Sequence, residues 1–231
     1  MSAPKNDIRA MFNAISPRYD FLNHFLSFGT DRRWRKKLIK IVSEKHPRRI
    51  LDVATGTGDV AIALAATKAE KIIGIDIAEN MLDIARKKIA SRYLVDVISM
   101  EKSDAENIPF SDDDFDIVTV AFGVRNFENL LKGLMEMRRV LKPGGILVIL
   151  EFSHPGKFPV KQFYTLYSRF LIPFFGRIIS GNHQAYRYLP ESVSKFPSGK
   201  DFIGILQEAG LKNNTLISLS SGISTIYIGE K

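Results

Sequence analysis

The chain has 231 residues, 45% hydrophobic and 25% charged, a size and balance that suit one core-burying enzyme domain and exclude a disordered tail protein. Cysteine is absent, which excludes disulfides, thiolate metal sites and a cysteine nucleophile and fits a reducing compartment. The net charge of +8 is uneven, with +8 in residues 1–50, −4 in 51–150 and +4 in 151–231. Basic flanks attract anionic lipid or nucleic acid, although the run Arg32-Arg33-Trp34-Arg35-Lys36-Lys37 reads equally as a solvated helix face.

The first twenty residues mix Lys5, Asp7, Arg9 and Arg18 with apolar positions, unlike a secretory signal. No run approaches the ~18–20 apolar residues of a membrane span. The expectation is a cytoplasmic protein that at most sits on the inner face of a membrane.

In chain order, Phe21, Leu22, Phe25 and Leu26 have helical spacing, and a second helix is predicted over Asp31–Glu44. Arg49–Ala54 reads as a buried strand running into the turn Thr55-Gly56-Thr57-Gly58, with a helix to about Thr67. Lys71–Asp76 is the next strand, Glu79–Ala90 a helix and Leu94–Ser99 a third strand. Residues 103–115 form a loop. Phe115–Phe122 is a fourth strand and Glu128–Leu141 a helix closed by Lys142-Pro143-Gly144-Gly145. Ile146–Phe152 is the fifth strand, and an aromatic-rich, helical insertion follows over 153–198. A helix at Gly199–Ala209 precedes strands at Leu211–Leu219 and Ser224–Gly229, close enough for a hairpin.

Strand–helix alternation predicts an α/β, doubly wound, mostly parallel sheet that holds ligands at the carboxyl ends of its strands. Gly56 and Gly58 let the backbone turn tightly and approach a ligand, and the pattern Gly-x-Gly-x-x-Ala with Asp76 eighteen residues beyond Gly58 also fits dinucleotide binding. The glycines alone do not separate a nicotinamide enzyme from a methyltransferase.

Asp52 before the glycines gives Asp-x-Ala-x-Gly-x-Gly, Asp76 ends the second strand, and Ser103-Asp104-Ala105-Glu106 follows the third. This series resembles the class I methyltransferases, Rossmann-like sheets finished by an antiparallel hairpin. The resemblance implies S-adenosyl-L-methionine as cofactor, with Gly56, Thr57 and Gly58 at its turn. It implies ribose hydroxyls on Asp76, and Asp104 and Ala105 beside the adenine.

Two longer segments narrow the family. Tyr19-Asp20-Phe21-Leu22-Asn23-His24-Phe25-Leu26-Ser27-Phe28-Gly29-Thr30-Asp31-Arg32-Arg33-Trp34 and Arg139–Ser153 resemble the signatures of the menaquinone/ubiquinone C-methyltransferases, and Phe122-Gly123-Val124-Arg125-Asn126 is similar to their motif after the fourth strand. Leu22, Asp31 and Ala121 depart from the family's usual Met, His and Ser. The resemblance implies methylation of a ring carbon on a polyprenyl quinol, demethylmenaquinol before the ubiquinone-pathway benzoquinol. It also implies one domain over 1–231, with N-terminal helices in 1–48 and a substrate lid at 153–198.

Such chemistry asks for a base or an oxyanion partner, because an unperturbed phenol has a pKa of ~10. Arg125 suits the oxyanion, Asn126 its orientation or a helix N-cap, and Tyr19 with Asp20 a hydrogen-bonding pair on a lid. His24, His46, His154 and His183 have no short ligand spacing, so no metal is expected, while His24 and His183 remain candidates for the pocket wall. A nucleic-acid methyltransferase fits less well, since there is no cysteine and no Asn/Asp-Pro-Pro-aromatic motif after the fourth strand. A short-chain dehydrogenase would need a Tyr-x-x-x-Lys pair, which is missing. Phe158–Ile179, crowded with aromatics and punctuated by Lys161, Arg169 and Arg177, is expected to shelter the prenyl tail and dip into the membrane surface, or to serve a homodimer.

Overall fold

The computed structural model describes residues 4–156, 158, 161–162, 166 and 183–231. Seven strands form one sheet in the order β3-β2-β1-β4-β5-β7-β6. They are β1 (Arg49–Val53), β2 (Lys71–Asp76), β3 (Ile98–Lys102), β4 (Phe115–Ala121), β5 (Leu141–Phe152), β6 (Lys212–Leu219) and β7 (Ser224–Glu230). The first five pair in parallel, and β7 runs antiparallel between β5 and β6. This is the doubly wound sheet with a C-terminal hairpin that the strand–helix rhythm predicts.

The helices are α1 (Lys5–Leu26), α2 (Thr30–Ser43), α3 (Asp59–Leu64), α4 (Glu79–Ser91), α5 (Leu130–Val140), α6 (His183–Lys195) and α7 (Lys200–Glu208). Alternate residues of each central strand feed opposite cores, as the two-residue period of a strand requires. Leu51, Val53, Ile73, Ile75, Val118 and Val120 pack with Leu134 and Met137 of α5 and Phe202 of α7. Ile50, Ile72, Ile117 and Val148 pack on the other face with Trp34 and Leu38 of α2, and with Leu82 and Ala85 of α4. Trp34 also anchors α2 to the β6–β7 turn, its Nε1 donating to Ser220 Oγ at 2.9 Å.

Three boundaries differ from the sequence reading. Residues 94–97 do not belong to β3. They close a turn in which Leu94 N–H donates to Ile89 C=O and Ile98 N–H to Leu94 C=O. Pairing begins at Ile98 opposite Ile72; the apolar Leu94-Val95 mimicked a strand, yet Val95 is exposed. Helix α5 begins at Leu130 because Asn129, not Asn126, caps it, accepting from Lys132 N–H at 3.0 Å. Strand β5 begins at Leu141 opposite Phe115 and resumes at Ile146 opposite Ile117, so Lys142–Gly145 stands out as an irregularity within the strand.

Within the insertion at 153–198, residues 157, 159–160, 163–165 and 167–182, and with them most of Phe158–Ile179, lie outside the described residues. Among the described residues, no helix is long and apolar enough to cross a membrane.

Candidate active site

The carboxyl ends of β1, β2 and β4 and the loop after β3 surround a pocket of about 670 Å³ including its mouth, roofed by Lys5, Ile8, Phe12 and Tyr19 of α1. Gly56, Asp76, Asp104, Ala105 and Asn126 line it, whereas Thr57, Gly58 and Arg125 stand outside that lining.

The glycine turn is braced from below. Asp52 is buried under it and accepts from Thr55 Oγ1 at 2.6 Å and Thr119 Oγ1 at 2.7 Å. Burial pushes its pKa up to about 6. Gly58, at φ 79°, is required for packing, since a Cβ there would stand 2.9 Å from Ala85 Cβ. Gly56, at φ 56°, is different: a Cβ would meet nothing within 4 Å. Its bare backbone faces the open pocket, which is the cradle a close-lying ligand needs.

Asp76 Oδ2 accepts from Gly56 N–H at 2.9 Å and Oδ1 from Ala78 N–H at 2.8 Å. Burial raises its pKa and these N–H groups oppose the rise. A carboxylate has about four acceptor sites, so capacity remains for two hydroxyls. Asp104 Oδ1 takes the Glu106 N–H and its Oδ2 meets Lys5 Nζ at 2.7 Å. Lys5 also reaches Glu106 at 3.3 Å. Glu106 in turn accepts from the N–H groups of Glu128 and Asn129. Carboxylates at two strand ends, the apolar Ile77 and Ala105, and the bare Gly56 suit an adenosine with its flat ring and ribose.

Helix α1 is pinned at both ends. Thr57 Oγ1 donates to Asp20 of α1, so this threonine side chain holds α1 rather than facing the pocket. Lys88 of α4 bridges Asp20 and Asp59, and Arg35 joins Asp59 at 2.7 Å to Asp31 at 3.1 Å. Asp31, where the family usually has His, is buried and accepts from Ser27 Oγ at 2.8 Å, with His24 Nδ1 at 2.7 Å from its other oxygen. His24 is thereby turned to Asp31 and does not line the pocket; the side chain of His183 lies outside the described ones.

At the other end of the pocket Asn126 Oδ1 accepts from Tyr188 O–H at 3.0 Å. That bond takes up the Asn126 Oδ1 and leaves Nδ2 without an acceptor among the described residues. Burial raises the pKa of Tyr188, against the lowering effect of Arg125. Tyr19 is also raised by burial, opposed by Arg125 and by a hydrogen bond with Asn23. Arg125 Nη1 donates to Glu151 Oε1 at 2.7 Å and to Phe122 C=O, its guanidinium lies 5.4 Å from the Phe152 ring centre, and its buried Nε has no partner among the described residues. Sequence reasoning missed Lys5, Glu151 and Tyr188. The signal for Glu151 was a single acid inside an otherwise apolar strand.

The sheet order, the glycine turn and the acids at successive strand ends define a class I methyltransferase fold. Solved structures agree on that fold. The [4+2]-cyclase SpnF has a TM-score of 0.72 at 19% identity, covering 100% of this chain and 98% of its own. A SAM-dependent methyltransferase from Aquifex aeolicus has a TM-score of 0.61 at 22% identity, over 83% and 87%.

Sequence comparison is more specific, for the model of the ubiE/COQ5 methyltransferase family matches residues 1–231. The demethylmenaquinone methyltransferase of Bacteroides fragilis is 45% identical over 97% of this chain and 92% of its own length. The ubiquinone/menaquinone biosynthesis C-methyltransferase UbiE of Geobacter sulfurreducens is 46% identical over 97% and 88%. The chain belongs to the ubiE/COQ5 methyltransferase family.

Proposed function

We propose that this protein transfers a methyl group from S-adenosyl-L-methionine to a ring carbon of a reduced polyprenyl quinone, with demethylmenaquinol as the preferred acceptor and the ubiquinone-pathway benzoquinol as the second. The observation that carries the reading is one pocket with an adenosine-type end, Gly56, Asp76 and Asp104, and a hydrogen-bonding end, Asn126 with Tyr188. The near-full-length relationship to enzymes named for these two quinones selects the acceptor class.

S-adenosyl-L-methionine supplies an electrophilic methyl group when bound. The chain's own residues must then align the acceptor and enrich its ring carbon in electrons. Loss of a ring hydroxyl proton to water at the pocket mouth does this, and the proton on the methylated ring carbon leaves to water afterwards to restore the ring. Asn126 Nδ2, oriented by Tyr188, donates to the resulting oxyanion, and the Arg125 charge held behind it lowers the cost of forming the anion in a dry site. Tyr19 on α1 offers a second hydroxyl over the same space. Asp76 and Asp104 hold the adenosine end still, Asp104 keeping acceptor sites for the adenine amino group beside its bonds to Lys5 and the Glu106 N–H.

A long prenyl chain barely enters water, so the enzyme works at the inner face of the membrane as a peripheral protein. The segment Phe158–Ile179 is a candidate for holding the chain, and Phe158 and Leu166 are exposed. The test is methylation of the naphthoquinol and benzoquinol acceptors mixed in equal amounts under reducing conditions, read by chromatography of the extracted quinones. Faster methylation of the naphthoquinol supports the assignment; exclusive methylation of the benzoquinol reverses the order of preference.

A further inference from the structure

Two residues that border the pocket stand on backbone that side chains rarely adopt. Ala54, after β1, has φ 52° and Phe122, after β4, has φ 58°. A positive φ is uncommon outside glycine and an outlier for a bulky side chain, and such positions cluster where ligands are bound. Strands β1 and β4 are neighbours, with Val53 opposite Val120, and the turns that follow them touch. A Cβ on Gly123 would stand 2.6 Å from Ala54 Cβ, so glycine is what lets the second turn lie against the first. The Phe122 N–H donates to Leu150 C=O at 2.7 Å, and its own carbonyl accepts from Arg125 Nη1. The unusual conformation is thus held from both sides.

The Phe122 ring belongs to an aromatic group. Its centre lies 4.5 Å from that of Phe152, with the planes 33° apart, and 6.1 Å from that of Trp34. Trp34 is buried, whereas Phe122 and Phe152 are half-buried. Packing therefore covers part of Phe122, which still borders the pocket. Four residues on, Asn126 lines the same pocket, and its N–H closes the turn on Gly123 C=O at 3.0 Å. One short segment carries an aromatic ring, the Arg125 cation and the Asn126 amide.

We infer that Phe122 is the platform on which the acceptor ring stacks, and a determinant of which quinol is preferred. The inference deepens the quinol reading of the pocket and rests on it. A flat ring gains from offset stacking on an aromatic side chain, and stacking on Phe122 leaves the ring oxygens to the Asn126 amide of the same turn. The fused second ring of a naphthoquinol offers more face than a benzoquinol, so this platform favours the naphthoquinol. Adenine is the wrong occupant by position. Asp104 and Ala105 follow β3, and β4 stands three strand spacings away in the order β3-β2-β1-β4, about 14 Å at the usual separation.

Two measurements on the full chain loaded with S-adenosyl-L-methionine test this. The first reads binding through Trp34, the single tryptophan, whose ring centre is 6.1 Å from those of both Phe122 and Phe152. Quinones quench indole fluorescence at short range, so titration with menadione, a naphthoquinone without a prenyl chain, should quench the wild type saturably. Phe122→Leu should need roughly threefold to tenfold more menadione, the worth of an aromatic pair, while Phe122→Tyr, which keeps the ring, should behave as wild type. Phe122→Asn, which tolerates a positive φ, is the second variant without the ring and carries the test if the leucine chain does not fold.

The second measurement reads specificity with short-chain quinols under reducing conditions. In the variants without the ring, KM for the naphthoquinol should rise by the same roughly threefold to tenfold and KM for the benzoquinol by less, with calorimetric affinity for S-adenosyl-L-methionine near that of the wild type. Undiminished menadione affinity without the ring, an equal rise in KM for both quinols, or weakened cofactor binding in a folded variant would each overturn the platform. Failure of the quinol reading itself looks different: the wild type then binds the cofactor and methylates neither quinol.

Discussion

Arg125 and Glu151 form an ion pair in which Nη1 and Oε1 are 2.7 Å apart and only 5% and 0% of their side-chain surfaces are exposed. The pair exists because β4 and β5 run side by side, with Ala121 opposite Leu150, so the turn after β4 meets the end of β5. Burial raises the Glu151 pKa and Arg125 opposes that rise. A cation held this way needs no reorganisation when negative charge develops nearby.

Removing one partner of such a pair leaves the other charge buried and uncompensated, which costs about 3–5 kcal/mol. Arg125→Ala should therefore lower the unfolding temperature as well as kcat, the latter by roughly 10²–10³, while cofactor affinity in the remaining folded protein stays near normal. Thermal unfolding and turnover measured on the same preparation check this. Unchanged turnover would remove Arg125 from the reaction.

The adenosine end makes a separate demand on Asp76. Asp76→Ala deletes the acceptor for the Gly56 and Ala78 N–H groups and, on the proposed placement of the cofactor, for two ribose hydroxyls. Each hydrogen bond to a charged group is worth about 1.5–3 kcal/mol. Calorimetric titration should show S-adenosyl-L-methionine binding weakened at least a hundredfold, and unchanged affinity in a folded variant would contradict the placement.

Asp52 gives the fold a pH signature. Its folded pKa of about 6 lies above the ordinary value of 3.8, so the folded chain holds this proton more tightly than the unfolded one. Its contribution to stability is then fully present below about pH 4 and is lost as pH rises through about 6. Asp52→Asn should abolish that component. Urea unfolding at pH 5 and pH 8 should show a smaller loss of stability in the variant than in the wild type. Parallel pH dependence in the two proteins would show that Asp52 is not the group responsible.

Tyr188→Phe removes only the hydroxyl that donates to Asn126 Oδ1. The amide is then free to turn, and a fall in kcat of roughly tenfold, with little change in cofactor affinity, is expected from the loss of an oriented donor. If Tyr188 served only to pack α6, steady-state rates in the phenylalanine variant would match the wild type.

That Gly56, Asp76 and Asp104 would meet at one pocket was legible because each is placed by local pattern. The glycine turn follows β1 directly, and Asp76 and Asp104 stand at the ends of recognisable elements. The hydrogen-bonding end is assembled across the chain: Tyr188 lies 62 residues from Asn126 and Glu151 lies 26 from Arg125. No periodicity links such positions; the sheet does. Thr57 shows the opposite failure. It sits in the right motif, but a hydroxyl can rotate, and the nearby Asp20 on α1 draws it to that helix. Asp31 was legible only as a departure from the family, and its burial beside His24, Ser27 and Arg35 explains how an acid is tolerated there.

The most direct test of the central claim is transfer of a labelled methyl group from S-adenosyl-L-methionine to demethylmenaquinol and to its oxidised quinone, followed by extraction and analysis of the ring. A quinone ring is electron-poor, so the account predicts label on the ring carbon of the quinol and none on the quinone in the absence of reductant. No ring label in folded protein that binds the cofactor, or equal labelling of both oxidation states, would contradict it.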